Sequence, residues 1–139
     1  VNAAAWAELS RIHLRREQWD DAVSTLKRHV ALDAADTKAR ERLGFAYFRL
    51  ARYADAADAY AAIVEREPKI AAYRNSLAGA FLMLGDAARA VEQFQAAVRL
   101  APTDARLRLN LAKAYEQAGR ADEAAAEYAA YDALQANRE

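Results

Sequence analysis

Residues 71–104 read AAYRNSLAGAFLMLGDAARAVEQFQAAVRLAPTD, and the spacing of their apolar side chains decides the fold. Tyr73, Leu77, Phe81 and Leu84 recur at three- and four-residue intervals and form one helical stripe. Gly85 and Asp86 end that helix and start another, which carries Ala90, Val91, Phe94, Ala97 and Val98. Leu100-Ala101-Pro102 closes the second helix, because proline lacks an N–H and disfavours helical geometry in the residue before it. No segment alternates as a strand would.

The same arrangement recurs along the chain. A frame of about 34 residues divides it into four units, 3–36, 37–70, 71–104 and 105–138. The seventh place holds Leu9, Leu43, Leu77 and Leu111, and the eighth holds the small residues Ser10, Gly44, Ala78 and Ala112. Alanine fills the twentieth place (Ala22, Ala56, Ala90, Ala124), followed four residues on by Leu26, Tyr60, Phe94 and Tyr128. Pro68 and Pro102 lie one period apart, and Asp36 and Asp104 stand where a carboxylate caps the next helix. Where Gly44 or Ala78 faces Ala56 or Ala90, no side chain holds the backbones apart. One such pair cannot bury its apolar faces alone, so the pairs stack into a curved array. The expectation is an all-α fold of eight helices in a single domain over 1–139.

Composition narrows the class. Twenty basic and twenty acidic residues cancel, so the overall field does not recruit nucleic acid. With no cysteine, disulfides, thiolate zinc sites and thiol nucleophiles are excluded. No apolar run approaches the roughly 20 residues of a spanning helix, and no membrane insertion is expected. The chain begins at Val1, which suggests a processed chain or an excised fragment. Its richness in Ala and in Arg over Lys points to a bacterial source, with the cytoplasm favoured over the periplasm.

On these residues the sequence resembles a tetratricopeptide repeat protein: Leu77, Ala78, Phe81, Ala90, Phe94, Ala97 and Pro102 fit that repeat place by place, and the match recurs over nearly the whole chain. The first unit departs from the pattern with His13 and His29, and it lacks the closing proline, as a capping unit would. The resemblance implies a right-handed superhelical solenoid of four helix-turn-helix repeats. It also implies a non-catalytic scaffold or adaptor whose ligand lies in a concave groove lined by the first helix of each pair.

Helical spacing selects the side chains that line this face: Arg11, Lys38, Arg42, Phe45, Arg49, Asn75, Leu82, Arg106, Asn110 and Lys113. Bases outnumber acids there, which predicts a locally basic groove and an acidic protein or peptide partner. Arg11, Arg42, Arg49 and Arg106 offer forked donors, Asn75 and Asn110 can bond a peptide backbone, and Phe45 and Leu82 offer apolar pockets. The competing reading is solvated surface with local pairs such as Lys38–Glu41. The carboxylate clamp of chaperone-tail adaptors requires Lys and Asn, then Asn, then Lys and Arg. The corresponding residues are Ala7, Arg11, Arg42, Ala72 and Ser76, or Glu41, Phe45, Ser76, Arg106 and Asn110, and neither set fits.

No catalytic set emerges. His13 and Glu17 share a helix face and His13 and His29 can approach across the first pair, yet two histidines without a third ligand make a weak metal site. Ser10 and Ser76 lack a base, and no phosphate loop is present. No enzyme activity, metal or cofactor is expected, and nucleic acid is disfavoured. The rival to groove binding is a self-assembling scaffold, a homo-oligomer joined through exposed terminal repeats at Trp6, Tyr128, Tyr131 and Leu134. Trp19 and Tyr53, at the start of second helices, are assigned to packing within their own repeats.

Overall fold

The computed structural model describes residues 2–138. Among them are eight α-helices and no strand: α1 (Ala3–Arg15), α2 (Trp19–Leu32), α3 (Thr37–Arg49), α4 (Tyr53–Arg66), α5 (Ala71–Met83), α6 (Ala87–Leu100), α7 (Ala105–Gln117) and α8 (Ala121–Ala136). They fall into two compact units, Val1–Arg66 with α1 to α4 and Glu67–Glu139 with α5 to α8. In the first unit α1 packs on α2, α2 on α3 and α3 on α4; in the second, α5 packs on α6, α6 on α7 and α7 on α8.

Each first helix ends in the same way. The amide of Gln18 donates to the His13 carbonyl, Arg52 to Tyr47, Asp86 to Phe81 and Arg120 to Tyr115, at 2.8–2.9 Å. This six-residue closure requires a left-handed residue at the intervening position. Gly85 and Gly119 supply it at φ +80° and +75°, whereas Glu17 and Ala51 adopt φ +56° and +58° against the clash of their own Cβ atoms. Glu17 therefore lies beyond the end of α1 and does not share a helix face with His13, which corrects the sequence expectation. Side chains reinforce the closure. Arg52 lies over the Tyr47 ring and Arg120 over Tyr115, both at 4.8 Å, and in the first unit Gln18 bonds His13 instead.

Entry into the helices is fixed by carboxylates. Asp36 accepts from the Ala39 amide, Asp86 from Arg89 and Asp104 from Arg106, at 3.0–3.1 Å. These bonds satisfy amides that the first turn of a helix leaves without partners. A further device recurs at the fourth place of three units: Arg40, Arg74 and Arg108 reach back to the carbonyls of Ala34, Pro68 and Pro102, each six residues earlier. Arg74 also bonds Gln93 on α6, and Arg108 bonds Glu127 on α8, so one guanidinium ties the turn before a first helix to the second helix of its own repeat.

Small residues set the packing distance. Ala22, Ala56 and Ala90 are fully buried, as are Leu26 and Ile63 beside them. Burial of each Leu or Ile of this kind contributes roughly 1.5–3 kcal/mol. In the second unit Ala78, Ala90, Phe94, Leu107 and Leu111 form one core, against which Phe81 and Tyr128 pack. Gly44 makes room for a ring: a Cβ built on it would lie 2.8 Å from the buried Tyr60 ring. That burial pushes the Tyr60 hydroxyl up to about 12.

Two substitutions of equal size should therefore have opposite signs. Gly44→Ala drives a methyl into Tyr60 and should lower stability by about 1–2 kcal/mol, the overpacking cost less the helix-propensity gain. Ala51→Gly relieves the left-handed strain and should raise stability by about 0.5–1 kcal/mol. Urea unfolding of both variants measures the signs directly.

Candidate functional site

The residues assigned to a binding face all lie at the surface or are partly buried, and the two units present them differently. On α1 and α3 two of the cations are already paired: Arg11 with Glu8 and Lys38 with Glu41, both at 3.3 Å. Exposed pairs of this kind are worth little, but they spend part of the positive field inferred for the groove. Arg42 and Arg49 make no ion pair among the described residues. Phe45 is 48% exposed. Trp19, from α2, meets it edge to face with centroids 5.7 Å apart, and Arg49 lies 5.2 Å above the Trp19 ring. Trp19 thus packs onto the first helix of the next repeat, which corrects its assignment to its own repeat. Tyr53 does pack within its repeat, against Phe48 at 5.0 Å.

On α5 and α7 the arrangement is polar. Asn110 Nδ2 donates to Asn75 Oδ1 at 2.9 Å, so the two amides expected to hold a backbone first hold each other. Arg106 is occupied by Asp104 at 3.2 Å, whereas Lys113 makes no ion pair among the described residues. Leu82 packs partly into the core, and Met83 beside it is 51% exposed.

The terminal candidates are only partly exposed. Trp6 sits beneath Arg28 at 5.2 Å and lines a cavity of about 410 Å³ with Ala31 and Leu32. The Tyr131 hydroxyl accepts from Gln135, and Tyr128 bonds Glu116, whose carboxylate pushes its titration up. Leu134 is half-buried.

The residues considered for chemistry are spent locally. The Ser10 and Ser76 hydroxyls donate to the carbonyls of Ala7 and Ala72 within their own helices. His13 is held by Gln18 at 3.0 Å. His29, 4% exposed, places Nε2 2.9 Å from Asp36 Oδ2. With Asp33 these two offer ligand atoms within 4.8 Å of one another, beneath a cavity of about 460 Å³ lined also by Glu8 and Arg11. Both Asp36 oxygens are already engaged, one by the Ala39 amide and the other by His29. The His29 Nδ1 is buried without a partner, so an N–H there would lack the acceptor that normally orients a ligating imidazole. This cluster braces a helix cap. Asp36 was legible in the sequence as a cap and His29 only as a departure from the repeat; their seven-residue separation across a turn carries no periodic signal.

The Ala39 amide, the His29 ring and the Arg42 charge hold the Asp36 carboxyl below its ordinary value, and Arg106 does the same for Asp104.

Paired helices in a 34-residue register, with capped ends and surface side chains that differ from unit to unit, define a helical-repeat scaffold. Tetratricopeptide repeat models match residues 41–105 and 81–139, and the chain belongs to the tetratricopeptide repeat family. Among solved structures, MamA superimposes with a TM-score of 0.90 at 23% identity, over 99% of this chain and 80% of that one. MamA MSR-1 gives 0.90 at 22% identity, covering 100% and 80%, and the MamA RS-1 ArsTM double mutant gives 0.92 at 18%, covering 99% and 77%. At these identities the likeness is one of fold. Comparison of the sequence with curated proteins gives no match. Proteins of this family are generally non-catalytic scaffolds for protein partners. No helix among the described residues is long and apolar enough to cross a membrane.

A carboxyl whose pKa is depressed by folding contributes stability above its unfolded value and loses it as pH falls through the folded one. Urea midpoints should therefore drop as pH falls below the ordinary Asp value of 3.8. Asn caps a helix nearly as well as Asp but does not titrate there, so Asp36→Asn should flatten that drop. An unchanged acid profile in the variant would remove Asp36 from the account.

Proposed function

We propose that the chain is a non-catalytic adaptor that holds an acidic segment of a partner protein on the exposed faces of its first helices. The observation that carries this reading is the cluster of Trp19, Phe45 and Arg49 with Arg42 beside it. A half-exposed Phe45 and a partly buried Trp19 meet edge to face with Arg49 over the Trp19 ring, and neither Arg49 nor Arg42 makes an ion pair among the described residues. Tryptophan and arginine are the residue types that most often dominate binding energy at protein interfaces, and an arginine fork matches a carboxylate. The local pairing of Arg11, Lys38 and Arg106 favours Arg42 and Arg49 as the cations that meet the ligand. The spent hydroxyls and the engaged His29–Asp36 pair support a function without catalysis.

A display library of short, unstructured peptides rich in Asp and Glu supplies the probe. Charge reversal at Arg42 and Arg49 together should weaken capture of the selected peptide by about 100-fold, since a hydrogen bond to a charged group is worth about 1.5–3 kcal/mol. Circular dichroism should show helicity unchanged. Undiminished capture, or a library that yields no binder, would reject the reading.

One observation favours self-assembly as a second reading. Leu9 is 38% exposed, while its equivalents Leu43, Leu77 and Leu111 are 9%, 3% and 2% exposed. Ile12 is 36% exposed where Ala46, Ala80 and Ala114 are fully buried. A helix packed on α1, as α2 packs on α3, would bury both. Sedimentation velocity should then reveal association that rises with concentration and disappears in Leu9→Asp; a monomer at every concentration would end this reading.

A further inference from the structure

We infer that Gly79 is a notch on α5 through which the main chain of the partner's acidic segment makes its closest approach, running extended over the Asn75–Asn110 pair. The inference rests on the adaptor reading above for the acidity of the segment, and it concerns the second unit by itself.

Three of the four glycines have a structural reason to be glycine. Gly85 and Gly119 take left-handed turns, and Gly44 faces the Tyr60 ring. Gly79 has neither reason. It lies inside α5, and a Cβ built on it would meet nothing within 4 Å. Glycine is the poorest helix former after proline, so an interior helical glycine with empty space above it weakens the helix without any gain in packing. At the equivalent place the other three units carry the long side chains Arg11, Phe45 and Lys113. Only the third unit leaves its helix surface bare.

What surrounds the bare surface fits a peptide backbone. Asn75 lies one turn before Gly79 on the same face. Its Oδ1 accepts from Asn110 Nδ2 on α7, which leaves the Asn75 amide nitrogen as donor and the Asn110 oxygen as acceptor. One donor beside one acceptor is the complement of a peptide unit's C=O and N–H. Lys113, at the equivalent place on α7, is exposed and unpaired among the described residues, so it favours a carboxylate on the segment. Met83, 51% exposed, offers an apolar rim one turn further on. Any side chain at position 79 would stand between the segment and the helix.

The probe is the acidic peptide selected from the display library on the full chain. In ¹H–¹⁵N spectra the four glycines give a small, separate set of peaks, and Gly79→Ala identifies the one that matters. On peptide addition the Gly79 peak should move while that of buried Gly44 stays. Gly79→Ala and Gly79→Leu, both to better helix formers in open space, should melt about 3 °C higher and bind the peptide about tenfold more weakly. A stationary Gly79 peak at saturation overturns the inference. So does undiminished affinity in both variants while charge reversal at Arg42 and Arg49 still abolishes capture, an outcome that leaves the adaptor reading standing. Lower melting of the variants contradicts the empty space on which the inference stands. A Gly79 response to single-stranded oligonucleotides, or to protein concentration without peptide, assigns the notch to nucleic acid or to a second copy and overturns it likewise.

Discussion

The turn between the two helices of each pair is the constraint from which the remaining geometry follows. One residue must adopt a left-handed conformation so that the next amide can reach back five residues to a carbonyl. That closure reverses the chain within three residues and brings the second helix against the first, where buried alanines let the two backbones come close. Glycine meets the demand in the last two pairs, and Glu17 and Ala51 meet it under strain in the first two. The closure holds in all four, so the packing gained beyond the turn outweighs the local cost. In three of the four closures the ring at the start and the side chain at the end also touch, so that short segment is fastened by both backbone and side chains.

Much of this was legible in the sequence because it is periodic. Leu77 and its equivalents, the alanines of the twentieth place and the two prolines announce helix pairs through repetition alone. Asp36 and Asp104 could be read as caps because a carboxylate before an apolar run has one common use. What escaped was whatever repetition does not mark. Ala51 gives no sign of a left-handed backbone, because alanine is the best helix former and the turn overrides that preference. Gly44 was matched to Ala56 by size, and nothing in the repeat marked that the Tyr60 ring also occupies the space beside it. Arg40, Arg74 and Arg108 do recur in register, and their recurrence could have been noticed. Their acceptors are backbone carbonyls, however, which have no letter in a sequence.

The candidate site was legible only as a face. Helical spacing says which way a side chain points but not what it meets on arrival. Glu8, Glu41 and Asp104 neutralise cations on their own or adjoining turns, and Asn75 and Asn110 engage each other. The partnership of Trp19 with Phe45 joins helices of different repeats, so it depends on stacking that no single repeat encodes. Fewer of the bases on these helices are therefore without a carboxylate partner than their number suggested, and one of them, Arg49, lies over the Trp19 ring.

The arginine clasps bear on where such a chain may be severed. Each guanidinium belongs to one repeat, and the carbonyl it grips belongs to the tail of the preceding one. A cut made at the start of a first helix, where the register invites it, would separate the grip from its hold. Fragments that retain the six residues upstream of Arg40, Arg74 or Arg108 carry the whole fastening with them. The natural unit of inheritance is therefore offset from the unit that the helices outline.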